Sequence, residues 1–149
     1  MASGLNTILV VNVVTPRGVI AHTEADSVQA PGELGEFEML PGHIPMLTAL
    51  RPGVLTIDHR LAASGSGKAR ARYAVSSGYL RVDPTGAVEI LVEQALPAKE
   101  IDSDAARKEL ATAKAELDKW GDKPMDGDYV NLQQRIGWAQ ARLDTAGAH

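Results

Sequence analysis

Apolar and polar positions follow two different periods along the chain, and the change falls near Pro97. Before it, short β-branched runs alternate with turn residues. Thr7–Val14, Val19–Ile20, Ser27–Ala30, Glu36–Leu40, Val54–Asp58, Ala71–Ser76, Tyr79–Asp83 and Val88–Glu93 read as strands. Thr15-Pro16-Arg17-Gly18, Pro31-Gly32, Gly65–Lys68 and Asp83–Gly86 separate them as turns. Many short strands at this spacing predict an antiparallel β-sandwich or barrel. After Pro97 the apolar steps become four and three: Ala106, Leu110, Ala113, Leu117 and Trp120, then Tyr129, Leu132, Ile136, Ala139, Leu143 and Ala146. These are two narrow helical seams, and the Gly- and Pro-containing stretch Gly121–Gly127 between them predicts an antiparallel two-helix hairpin. Asp102 or Ser103 can cap the first helix, and Asp126 or Asp128 the second. The expected division is residues 1–97 as a sandwich and 98–149 as a hairpin.

The densest run of turn and apolar signals is Leu40–Leu55, LPGHIPMLTALRPGVL. Pro41-Gly42 and Pro52-Gly53 bracket it. Each proline fixes φ near −65°, and the glycine after it can take the positive φ of a type II turn. His43-Ile44-Pro45 cannot continue as a helix, because the residue before proline is driven to extended geometry. Met46–Leu50 is therefore expected as a short buried piece held between two turns.

Composition narrows the class. The apolar content of 44% suits a globular protein, but only 4% is aromatic, so the core must come from Val, Leu, Ile and Ala. The absence of cysteine removes disulfides, thiolate zinc sites and cysteine nucleophiles. No apolar run reaches the roughly 20 residues of a membrane span, and the first residues lack a basic leader, so a soluble, cytoplasmic chain is expected. A net charge of −4 with mixed signs argues against nucleic-acid binding. Alanine at two of the five positions of the first seam, and Gly137 inside the second helix, leave the hairpin weakly committed to itself.

The candidate chemistry is thin. Gly65-Ser66-Gly67-Lys68 resembles the tail of a phosphate loop, but Ala62 and Ala69 stand where Gly and Ser or Thr are required. His22, His43, His59 and His149 show no metal-ligand spacing, and Asp122, Asp126 and Asp128 suit capping better than calcium. Lys68, Arg70 and Arg72 share one strand face, which reads as a solvated face rather than an anion site. No catalytic residue, metal or cofactor is assigned. On the residues alone, a sandwich-plus-hairpin interaction protein is the reading, with a free-standing adaptor for a peptide or small ligand as the alternative.

Pro41-Gly42-His43-x-Pro45-x-Leu47-Thr48-x-Leu50-x-Pro52-Gly53 resembles the signature of the epsilon subunit of bacterial F-type ATP synthase. Val28-x-Ala30-Pro31-Gly32-x-x-Gly35-Glu36 and Ser77-Gly78-Tyr79-Leu80-x-Val82 resemble its flanking motifs, and the likeness runs from about Leu5 to Leu143. The resemblance implies a non-catalytic rotor subunit at the cytoplasmic face of the bacterial plasma membrane, peripheral to it through the complex. It implies a sandwich that binds the gamma subunit and the c-ring, and a hairpin that reaches the alpha and beta subunits and inhibits ATP hydrolysis. Glu36, Glu38, Met39 and His43 would mark the c-ring side, with Glu36 and His43 on loops. Glu38 stands where the family usually has glycine, so no obligate positive φ is expected there. Lys108, Lys114 and Arg142 would supply basic contacts of the hairpin.

Some relatives bind ATP in the folded hairpin through an Asp-x-x-Arg segment and arginines of the second helix. Here Asp102 is present, Ala105 replaces the arginine, and Arg107 lies about 200° round the helix. Asn131 and Trp138 occupy two further positions that are basic in those relatives, leaving only Arg142. A vestigial site of this kind implies weak ATP binding, with Kd on the order of 1 mM or above.

Overall fold

A computed structural model describes residues 8–60 and 68–147. The strands are β1 Leu9–Thr15, β2 Gly18–Ala25, β3 Ser27–Gly32, β4 Gly35–Met39 and β5 Met46–Leu50. They continue as β6 Gly53–Arg60, β7 Lys68–Val75, β8 Gly78–Val82, β9 Ala87–Val92 and β10 Ala95–Pro97. A 3-10 turn, Ala98–Glu100, then leads to α1, Ser103–Asp118, and α2, Gly127–Ala146.

One path of pairing runs through the strands, but its β3–β5 link is the single pair Gly32–Leu50. The strands therefore form two leaves, β4-β3-β6-β7-β10 and β5-β8-β9-β1-β2. All pairs are antiparallel except β1 with β9, which is parallel. Period-2 alternation turns Val11 and Val13 of β1, Leu80 and Val82 of β8, and Val88, Ile90 and Val92 of β9 inward. They meet Val28, Met39, Leu55, Ile57 and Val75 of the other leaf in one aliphatic core. The sandwich-plus-hairpin architecture expected from the sequence is thus present.

The central stretch differs from expectation in two respects. Met46–Leu50 is a strand, and the pleat leaves Leu47 exposed while Leu50 is buried, so the piece is not buried as a whole. Gly42 has the predicted positive φ of 85°, whereas Gly53 does not share it. Gly53 is needed for space instead: a Cβ there would lie 2.6 Å from Pro31 Cβ. β10 was not legible as a strand, and the Gly65–Lys68 turn falls mostly on residues 61–67, outside the described residues.

Both helices are capped as their aspartates suggest. Asp102 accepts from Ala105 N at 3.1 Å, and Asp126 from Asp128 N at 3.0 Å, each satisfying N-terminal donors that the helix leaves unpaired. α1 ends at Asp118, so Trp120, expected on its seam, lies just beyond the helix. It packs edge-on to Tyr129 with ring centroids 5.4 Å apart, while Lys123 Nζ stands 5.2 Å from its ring centre.

Candidate functional site

Three surfaces carry the polar and exposed apolar groups that a partner would meet. The first is the outer face of the β5-β8-β9-β1-β2 leaf. The registers place Ala49, Tyr79, Leu91, Val14 and Val19 side by side in one row across all its strands. Tyr79 is 56% exposed, Leu91 45% and Val19 64%, although valine, leucine and tyrosine at these strand positions would ordinarily seek cover. A groove of about 310 Å³ lined by Val14, Pro16, Tyr79 and Leu91 runs beside the row. The neighbouring row is polar, with Arg81 paired to Glu89 and Asn12 bonded to His22. An apolar strip with a charged margin is the pattern of a protein contact surface.

The second surface surrounds β4. Glu36 and Glu38 alternate outward while Phe37 and Met39 point inward. Glu36 thus lies within a strand, paired opposite Pro31, and not on a loop as the resemblance implies. Met39 is fully buried in the core, so it cannot be a contact residue. No non-glycine residue among those described has a positive φ, so Glu38 sits without strain. His43 occupies the connection after β4, where its N–H donates to Leu40 O at 3.1 Å and its Nδ1 lies 2.9 Å from Ile44 O. Leu40 and Ile44 beside it are exposed, as is Leu34 in the turn before β4. An exposed apolar loop next to two carboxylates is suited to meeting a polar surface that carries both kinds of group.

The third surface is the hairpin. It lies on the outer face of the other leaf, over β6 and β7. α2 makes that contact and α1 rests on α2. Ser77 donates to the side-chain oxygen of Gln134, and Arg72 Nη2 donates to Asp144 O at 2.9 Å, near the negative end of the α2 dipole. Arg70 pairs with Asp58 at 2.7 Å, which holds its guanidinium pKa above the ordinary value through that hydrogen bond and charge. Two of the three basic residues on the β7 face are therefore engaged, one of them in holding α2. The side chain of the third, Lys68, is outside the described set.

The expected hairpin cations separate into two kinds. Lys108 and Lys114 are exposed on α1. Arg142 is only 9% exposed, bonded to Glu109 and stacked 5.3 Å from the Trp138 ring centre, so it is not presented outward in this arrangement. Asp102 is occupied in capping, and Arg107 pairs with Asp104 at 2.8 Å. The residues of the vestigial nucleotide site are thus tied into the hairpin's own structure. Among the described residues, no cluster of His, Asp and Glu has the makings of a metal site, and no helix is long and apolar enough to cross a membrane.

Residues 8–98 match the family of the ATP synthase delta/epsilon chain β-sandwich domain. The ATP synthase epsilon chain of Geobacter sulfurreducens is 39% identical over 139 residues, covering 93% of this chain and 94% of the relative. The chain belongs to the ATP synthase epsilon chain family. The epsilon chain of Moorella thermoacetica is 35% identical over 91% of this chain and 94% of its own length, so the likeness includes the hairpin as well as the sandwich. The epsilon-family fold also recurs in solved assemblies. A chain in the Euglena gracilis mitochondrial ATP synthase OSCP/F1/c-ring assembly matches with a TM-score of 0.73 at 22% identity, over 95% of this chain and 82% of that one. A chain of the Tetrahymena thermophila central stalk/c-ring assembly matches with a TM-score of 0.59 at 18% identity, over 93% and 96%.

Proposed function

We propose that this epsilon-family chain is a non-catalytic rotor subunit of an F-type ATP synthase. Its sandwich joins the gamma subunit to the c-ring, and its hairpin restrains ATP hydrolysis by reaching the alpha and beta subunits. The observation that carries the reading is the unequal treatment of the two sandwich faces. One is covered by the protein's own α2, while the other leaves the Ala49–Tyr79–Leu91–Val14–Val19 row in solvent. A stalk subunit needs both: a permanent apolar contact with the rotor shaft and a second element free to change partners. The row is assigned to the gamma subunit. Glu36, Glu38 and His43 are assigned to the polar loops of the c-ring, without Met39. Lys108 and Lys114 are assigned to acidic surface on the catalytic head. Attachment to the cytoplasmic face of the bacterial plasma membrane follows from these partners and needs no membrane segment.

The test is made in the assembled complex. Leu91→Asp with Tyr79→Asp places charge in the row and should abolish co-purification with the gamma subunit, while the isolated chain still folds. Deleting residues 100–149 should leave assembly intact and raise ATP hydrolysis. Retained co-purification of the double variant would take the gamma contact off this row, failure of the parent chain to co-purify with the gamma subunit would favour a free-standing adaptor, and unchanged hydrolysis after the deletion would remove the braking role.

A further inference from the structure

The exposed apolar row ends beside an unanswered charge. Glu93 follows β9 directly, two residues beyond Leu91, and is exposed. It lines four hollows of the surface, of about 630, 450, 310 and 250 Å³. Among the described residues it takes part in no ion pair. Cations do stand near, since Arg17, Arg51 and Arg135 each border one of these hollows. Arg51 Nε is turned to Gly32 O at 3.3 Å, and Arg135 is held by Glu116. Arg17 borders the largest hollow and makes no ion pair with Glu93.

The backbone that carries Glu93 is fixed on both sides. Val92 is paired with Gly78. Gln94 N donates to the Ser76 hydroxyl at 2.9 Å, and Gln94 O accepts from Ser76 N at 3.0 Å. A carboxylate on so fixed a frame loses little freedom when a partner engages it.

The 310 Å³ hollow indicates the shape of that partner. Val14, Pro16, Tyr79 and Leu91 make its walls largely apolar, and Glu93 is the one charged residue among the described residues that border it. An aliphatic stem lies well against such walls with its cationic head at the carboxylate. A guanidinium suits the place better than an ammonium, because it forks to a carboxylate and also stacks on an aromatic ring. At the opposite margin of the row, Arg81 and Glu89 already satisfy each other. A partner that covers Tyr79 and Leu91 strips water from Glu93, and an ion left covered and unpaired opposes binding. Apolar contact alone has no direction, whereas a charge at one end of it sets the register.

We propose that Glu93 receives an arginine of the gamma subunit, whose stem lies in the hollow beside Tyr79 and Leu91. This ion pair fixes which way round the shaft lies on the apolar row. The proposal rests on the assignment of that row to the gamma subunit.

Binding of the full-length chain to a complex stripped of it tests the pair, read as Kd at several salt concentrations. Glu93→Gln keeps the shape and removes the charge, and it should weaken binding on the order of tenfold, mostly through faster dissociation. Between about 0.05 and about 0.5 M salt, the parent's affinity should fall more steeply than the variant's, a difference that a merely structural role would not produce. Glu33→Gln and Glu100→Gln alter carboxylates that border two of the same hollows, and each should change Kd less than about twofold. A Glu93→Gln loss no larger than theirs, or one with no change in salt dependence, would overturn the ion pair. If Leu91→Asp with Tyr79→Asp still abolished binding, the row would keep its partner. Full binding by that double variant would take the gamma subunit off the row and the proposal with it. Among exposed arginines of the gamma subunit changed to glutamate, one should weaken binding and be rescued by Glu93→Arg. A scan that yields no rescued pair would overturn the choice of arginine.

Discussion

Gly137 of α2 faces Pro52 so closely that a Cβ at position 137 would lie 3.0 Å from the proline Cγ. The pairing joins two features that look unrelated in the sequence: the second Pro-Gly turn of the central stretch and a glycine inside a helix. Glycine costs a helix interior about 1 kcal/mol relative to alanine. Here that cost is offset by letting the helix axis approach the sandwich. Gln134, Gly137, Ala141 and Thr145 form the docking stripe, and the last two are buried.

Gly137→Leu should therefore undock the hairpin although leucine is the better helix former. Overpacking at a tight contact costs about 1–3 kcal/mol, which exceeds the propensity gain. Amide exchange over α2 and protease cleavage within residues 97–102 should both accelerate several-fold. Unchanged exchange would show that the contact accommodates a side chain.

The hairpin should loosen in acid ahead of the sandwich. The Glu116 carboxyl is held below its ordinary range by the Arg135 hydrogen bond, with the charge of Arg135 adding to it. A lowered folded-state pKa contributes stability that is present above the unfolded value and lost as pH falls through the folded one. Helix protection should thus decline below the ordinary glutamate range of about pH 4. Glu116→Gln should lower the neutral-pH protection and flatten the acid dependence. An acid profile identical to the parent's would rule out this pair as its source.

Residues 1–97 should fold alone. The core cluster lies wholly within the strands, and α2 covers only an outer face that includes Thr56, Arg72 and Ala74. A single cooperative thermal transition with a dispersed amide spectrum is expected of the fragment, and a chain without cooperative unfolding would refute it.

ATP should bind the isolated chain no better than about 1 mM, or roughly −4 kcal/mol. Phosphate recognition needs free guanidinium forks, yet Arg142 is held by Glu109 and Trp138, and Arg107 by Asp104. Calorimetry giving a micromolar Kd would contradict this.

Much of this architecture can be read from the residue pattern, because alternation and turn chemistry are strong local signals. The strand runs, the caps Asp102 and Asp126 and the hairpin turn are legible for that reason. What escaped the sequence depends on tertiary contact. β10 is three residues ending in proline, recognisable only by its pairing with β7. The docking stripe of α2 is made of small and polar residues, so only the α1-facing seam showed in its hydrophobic periodicity. The burial of Met39 and the placement of Glu36 within β4 follow from the pairing of β4 with β3, which a motif match does not report. The heptad spacing of Glu109 with Glu116 and of Arg135 with Arg142 was present in the sequence and is the signal that would have revealed the ion pairs between the helices.

The parallel pairing of β1 with β9 has a consequence for the order of events during synthesis. Val14 and Leu91, neighbours in the exposed apolar row, stand at opposite ends of the sandwich sequence. The row cannot exist on a nascent chain until β9 has left the ribosome, because β1 has no partner on that edge before then. Closing so long a loop is slow relative to local strand pairing. The surface assigned to the rotor shaft is therefore assembled by one of the last steps of sandwich folding, and an incomplete chain has no such surface with which to occupy a place in the complex.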